Sequence, residues 1–334
     1  MTNFYDFWQQ KTKKMFLSDK FLGTIFCILA DSLFCLSYFF VRVLTTYGDQ
    51  IHGDWTMCFK EVITISFSIP IFLFLWMRGQ CSLPSWKIIV LLLCAAFFCE
   101  FIGVRSHITA FGLIGIVLGN PVIRTFTILG TAIISMVFIR ERLTLLKTIT
   151  MFILISSIFV LAFSQLTVSE NKVHVHFDST FLMGFIFALI TGIGYAIYSV
   201  LLRFILRKAT TEQKNVTTSE PVSIFFVVSI VCGFGAICGA IFLLKDRGFY
   251  GFINVPASAW LFVGLAGILN VVCFYLKNLS FRYATATKVA TFSILQIILG
   301  TILGIIFLGE MTNVFIWIGL SLSILGIALA SQTS

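Results

Sequence analysis

Charge is what this 334-residue sequence has least of: Asp, Glu, Lys and Arg together make up 11%, roughly half the ~25% of soluble domains. No long polar block interrupts the chain, so no separate soluble domain can be drawn from it. Nine cysteines are present, but no two form a CxxC pair and none stands at a Cys/His metal spacing. Most of them (Cys27, Cys35, Cys94, Cys99, Cys232, Cys238, Cys273) fall inside apolar runs and read as small packing residues. His174 and His176 alternate in one interval, and two ligands make no metal site. No small-residue cleavage motif closes the first apolar run, so no cleavable signal peptide is expected. Neither a metal nor a cofactor is expected.

What is there is apolar. Hydrophobic residues reach 59% and the mean hydropathy is +1.03, beyond the roughly 45–50% apolar usage of soluble chains. Ten runs are long enough to span a bilayer, for which about 20 apolar residues are needed. They lie at 21–45, 57–77, 87–104, 110–138, 145–166, 180–202, 221–244, 257–276, 286–308 and 312–331. Arg105, Ser106 and His107 are read as the turn between the third and fourth. The sequence predicts an all-α integral membrane protein of ten transmembrane helices.

The net charge of +9 is not a nucleic-acid footprint, because the basic residues form no stripe. They sit between the apolar runs and alternate. Sixteen fall on one side, among them Lys11, Lys13, Lys14, Lys20, Arg140, Arg142, Arg207, Lys208, Lys277 and Lys288. Only Arg105, Lys172, Lys245 and Arg247 fall on the other. Basic intervals stay inside, so both termini are expected to be cytoplasmic, in a cytoplasmic (inner) membrane.

The chain also repeats itself. The segment GTIFCILADSLFCLSYFFVR from Gly23 aligns with GFIFALITGIGYAIYSVLLR from Gly184, pairing Arg42 with Arg203. FIRE at 138–141 aligns with FLGE at 307–310, pairing Glu141 with Glu310. The expected layout is a cytoplasmic segment 1–20, a five-helix half 21–166, an external loop 167–179 and a second half 180–331. Five spans per half invert the second half relative to the first, the arrangement that lets carriers alternate access to a midplane site.

These residues resemble the EamA-type ten-helix members of the drug/metabolite transporter superfamily, over about residues 21–331. The resemblance is carried by Gly184 to Arg203, with Ala188, Tyr195, Ala196 and Tyr198, and by FLGE followed by Gly319 and Gly326. FIRE lacks the glycine before its Glu, and Ile128 and Ile297 stand where the family has proline. The resemblance implies a carrier with a central cavity between two halves, for amino acids, nucleotide-like metabolites or quaternary ammonium compounds. Fold does not choose among them.

Ionisable and polar groups inside the runs point to that cavity, because charge is costly in lipid. Candidate substrate-binding residues are Asp31, Tyr38, Glu100, Asn120, Arg124, Tyr195, Tyr198, Asn270, Tyr275 and Gln296. Asp31 with Arg124 also reads as a structural interhelical pair, and Lys60 with Glu61 as groups that snorkel to the interface. Arg42, Glu141, Arg203 and Glu310 read as gating or helix-boundary residues. An acidic, aromatic cavity suits a planar ring with a positive centre. S-adenosylmethionine, exchanged for S-adenosylhomocysteine, has that form, and chlamydial and rickettsial members of the superfamily, which this chain resembles in its Phe and Cys content, import it. Export of aromatic or neutral amino acids is the alternative reading. No polar catalytic cluster suggests a membrane enzyme and no selectivity motif a channel; a non-transporting scaffold is the reading from another class.

Overall fold

The computed structural model describes residues 19–81, 83–139, 145–163, 179–212, 223–253, 255–283, 289, 292–310 and 312–332. The long elements are all helices: α1 (Asp19–Thr45), α2 (Gly53–Met77), α3 (Trp86–Ala96), α4 (Arg105–Ile139), α5 (Leu145–Phe163), α6 (Ser179–Glu212), α7 (Ile224–Arg247), the short α8 (Tyr250–Ile253), α9 (Ala257–Tyr283), α10 (Ile294–Leu308) and α11 (Val314–Gln332). In a bilayer core every backbone N–H and C=O must find an internal partner, which a helix supplies. Six of the helical stretches are long and apolar enough to cross a membrane, and Thr148–Leu161, Leu295–Leu308 and Val314–Leu329 are shorter apolar helices.

One of the six, Trp86–Ile134, runs for 49 residues. At 1.5 Å per residue that is ~70 Å, more than twice the hydrocarbon thickness, so it cannot make one straight passage. Two local features deal with the excess. Phe97–Val104 is π-helical and joins α3 to α4. At Gly115 the backbone leaves the helical region, with φ 75° and ψ 176°, and divides α4. The turn read from the sequence at Arg105–His107 is therefore misplaced. Those residues are helical, Ser106 and His107 are buried, and the break comes at the glycine that can adopt a positive φ.

Packing runs between distant parts of the chain. α1 lies against α9, α4 against α6, α2 against α7, and α5 against α11. The core is continuous through these pairs, from Cys27 and Phe34 to Leu320 and Ile327. Large apolar side chains such as Phe152, Phe159, Ile306 and Val314 point outward, an apolar exterior that only lipid or another apolar surface can cover.

Candidate functional site

Where α1, α4, α6, α9 and the start of α10 converge, a cavity of about 70 Å³ opens among Phe34, Tyr38, Arg124, Tyr195, Lys277 and Gln296, with Cys99, Thr127, Tyr198, Ser199, Phe274, Asn278, Val289 and Ser293 completing its wall. Helical spacing explains the composition of that wall. Phe34 and Tyr38 are four apart on α1, Tyr195 and Tyr198 three apart on α6, and Phe274 and Lys277 three apart on α9, so each pair shares a face.

The aromatic side is a connected chain. The Tyr195 hydroxyl lies 3.0 Å from His107 Nδ1 and 3.4 Å from the Tyr38 hydroxyl. The Tyr38 ring packs 4.3 Å from the imidazole of His107 and 5.8 Å, stacked, from Phe34. Arg124 places its guanidinium carbon 5.7 Å from both the Tyr38 and the Tyr195 ring centroids. Its Nε and Nη2 are buried and find no hydrogen-bond partner among the described residues. These nitrogens form one edge of the guanidinium, the edge that binds a carboxylate in a fork.

The acidic side differs from the expectation. Asp31 is fully buried, and its carboxylate accepts from Lys277 Nζ at 2.7 and 2.9 Å and from Gln296 Nε2. The expected Asp31–Arg124 pair is not formed, because Lys277 reaches Asp31 from α9 and neutralises it. Lys277 was assigned to a cytoplasmic interval, but α9 continues to Tyr283 and carries it into the bundle. Glu100 is fully buried outside the cavity wall, with the Cys99 thiol donating to Oε1 at 3.5 Å. Lys60 and Glu61 do not snorkel: they are 1% and 0% exposed and paired at 2.6 Å. Asn270 donates to Glu61 and Thr64, and Asn120 to the Gln296 carbonyl, so each ties its helix to a neighbouring one. Tyr275 stacks on Phe225 at 4.8 Å. Of the ten candidates, Tyr38, Arg124, Tyr195, Tyr198 and Gln296 line the cavity, and Asp31 acts through Lys277 and Gln296.

Sequence reasoning passed over His107, Phe34, Ser199 and Lys277. Lys277 lay three and seven residues beyond Phe274 and Asn270, a helical spacing that marks a shared face.

The boundary residues separate in the same way. Glu310 accepts from Arg42 Nε at 2.9 Å and from the backbone N–H groups of Ile116 and Val117 at 3.0 and 2.8 Å. It thereby caps the helical run that restarts after Gly115. Arg203 lies on α6, and Glu141 falls outside the described residues.

Roomier clefts of about 640 and 460 Å³ lie at the rim around His52, Arg105, Asp246 and Tyr250. Asp54, beside His52 and Asp246, is already held by Arg105 at 2.9 and 3.3 Å, which leaves that acidic group poorly suited to a metal.

A solved chain described only as "Crystal structure of protein" matches with a TM-score of 0.61, covering 93% of this chain and 97% of its own at 17% identity. That likeness concerns the fold alone. The "Uncharacterized transporter in cobO 3'region" of Sinorhizobium sp is 29% identical over 68 residues, 20% of this chain, which spans about half (48%) of that relative's length. The profile of the EamA-like transporter family matches residues 182–332, the stretch that supplies Tyr195, Lys277 and Glu310 to the sites above. Over that second half the chain is similar to the EamA-like transporter family, and its long apolar helices are those of a multi-pass membrane protein.

Proposed function

We propose that this chain is a secondary carrier for a small metabolite bearing a carboxylate and a planar ring, moved across the cytoplasmic membrane by alternating access. The observation that carries the substrate class is the bare Nε/Nη2 edge of Arg124 in an aromatic cavity. A buried guanidinium edge with no partner is unfavourable, and a ligand carboxylate is the partner that fits it. A scaffold has no use for such a group.

The inverted two-half architecture is supported by the packing. With the break at Gly115 counted, ten long helices fall into two sets of five, 19–163 and 179–332. Each major contact joins the two sets: first helix with eighth, sixth with the third–fourth region, second with seventh, fifth with tenth. Exchanging the halves maps these contacts onto one another, as a pseudo-two-fold requires.

S-adenosylmethionine, taken up in exchange for S-adenosylhomocysteine, meets the description with its adenine and amino-acid tail. Because Lys277 neutralises Asp31, the sulfonium meets no free carboxylate among the described residues of the wall, and the two ligands are expected to bind alike. Aromatic amino acids meet the same description and are the second reading. The test is thermal stabilisation of the purified protein, since a ligand of the native state raises its stability by mass action. S-adenosylmethionine, S-adenosylhomocysteine, phenylalanine and tryptophan are compared with methylthioadenosine and tryptamine, which lack the carboxylate. At least one of the acids is expected to stabilise and the carboxylate-free compounds are not. Arg124→Lys, which keeps the charge but loses the fork, is expected to weaken binding at least ~10-fold, the equivalent of one charged hydrogen bond. Equal stabilisation by tryptamine or methylthioadenosine, or indifference to Arg124→Lys, sinks the carboxylate reading.

A further inference from the structure

A second buried polar group adjoins the cavity: none of its carboxyl groups lines the wall, and Cys99, which does, donates to one of them. Glu61 of α2, Glu100 of the π-helical stretch and Cys232 of α7 bring one side-chain atom each within 4.8 Å of one another, all fully buried. Among the described residues Lys60 adds one cation, 2.6 Å from Glu61. The two carboxyl groups are treated unequally. Glu61 receives Lys60 Nζ and Asn270 Nδ2, the latter at 3.2 Å, with the Cys232 sulfur within 4.8 Å. Glu100 receives the Cys99 thiol alone, and its Oε2 is buried with no hydrogen-bond partner among the described residues.

Charge then limits what the site holds. Two carboxylates against one ammonium leave one negative charge, and a bare ionised oxygen in a dry interior is strongly disfavoured. One further positive charge is needed. A divalent metal would overshoot, since Lys60 already occupies Glu61. A sodium ion needs several oxygens and space around it, whereas Glu100 faces Gly235 so closely that a Cβ there would stand 2.6 Å from Oε2. A proton needs neither. The other titratable groups facing Glu100 are Tyr198 on α6 and Cys232 and Cys238 on α7. Arg105 at the start of α4 is turned to Asp54.

We propose that Glu100 carries an exchangeable proton, released and regained once as the carrier changes access, so that Glu61, Lys60 and Glu100 form a proton-coupling site separate from the ligand cavity. The step breaks the O–H bond of the Glu100 carboxylic acid, gives the proton to water, and leaves a carboxylate that Lys60 stabilises by dividing its hydrogen bonds between the two Glu side chains. Rebinding a proton from the other side returns Lys60 to Glu61. The coupling rests on the carrier reading above, but the site itself is tested without any transported ligand.

The experiment is infrared spectroscopy of the full-length protein in lipid vesicles at neutral pH, before and after transfer to D₂O. The expected result is a carbonyl band of a protonated carboxylic acid that shifts on deuteration, at the rate at which Cys232 becomes modified by a small thiol reagent, read by mass spectrometry. Glu100→Gln should abolish the band. Glu61→Gln should abolish it too, although Glu100 remains, because Lys60 is then free to ionise Glu100; this variant keeps the test open if the first does not fold. A wild-type protein without the band, a band that survives Glu100→Gln, or a band that never deuterates overturns the proposal. Sodium binding that depends on Glu100, with no acid band, assigns the site to that ion instead. Failure here leaves the Arg124 result untouched, and the reverse holds.

Discussion

Asp31 shows how much a single residue's neighbours decide. From the sequence it is a carboxylate near mid-membrane and a natural attractor for a cation. In the fold Lys277 and Gln296 saturate it, and what remains for a ligand is the opposite charge on Arg124. The cost of charge in lipid made the burial of Asp31 legible, and the need of a buried hydroxyl for a partner pointed to Tyr38, Tyr195 and Tyr198. Its partner was not legible, because the pairing spans 246 residues and no local pattern encodes so distant a contact. The pair makes a graded prediction. Lys277→Met strands a fully buried carboxylate and is expected to cost about 3–5 kcal/mol. Asp31→Asn is expected to cost less, because the Lys277 side chain is 19% exposed and its ammonium also donates to the Val289 carbonyl. Thermal denaturation in detergent reads the order, and a larger loss for Asp31→Asn contradicts it. Asp31→Asn should also weaken a cationic ligand more than a neutral one of the same skeleton, because the Lys277 ammonium in the wall then lacks its carboxylate.

Among the elements, α4 departs furthest from what its sequence announces. Its residues are apolar on both sides of Gly115, so nothing in the hydropathy marks the break, and the charged Arg105 and the polar Ser106 and His107 drew the turn to themselves. The physical cause lies elsewhere in the chain. Glu310 supplies a carboxylate for the N–H groups of Ile116 and Val117 and for Arg42, which lets a helix begin anew inside an apolar run. The sequence repeat did single out Arg42 and Glu310, as members of two separate alignments, without joining them. Gly115→Ala is expected to destabilise by about 1–3 kcal/mol, the cost of a left-handed backbone at a residue with a side chain. The added Cβ would also stand 2.7 Å from the Glu310 carboxylate. The measurement is the denaturation midpoint beside that of Gly264→Ala, a helical position with open space for a Cβ, where no comparable loss is expected. Equal effects at the two glycines remove the role assigned to the break.

For the molecule as a whole, the hydropathy pattern announced apolar helices, and the long described elements are all helical, because length and apolarity are local properties; the helix pairing and the cavity depend on contacts between distant residues, 88 positions apart for His107 and Tyr195 and 265 for Asp31 and Gln296. The orientation implied by the basic residues remains to be measured. Single cysteines replacing Lys172 and Lys214, in a background without other cysteines, are expected to react with a membrane-impermeant reagent from opposite faces; both positions lie outside the described residues. Reaction of both from outside the cell contradicts the inverted halves. The cavity's size carries a kinetic consequence. At about 70 Å³ it holds a few water molecules, whereas small-molecule sites occupy ~300–1,000 Å³. On the carrier reading proposed above, entry of a metabolite waits for α1, α4, α6 and α9 to part. Association would then be governed by how often the protein opens rather than by how often the ligand arrives, and its rate would level off as ligand concentration rises: opening, not diffusion, would keep the time.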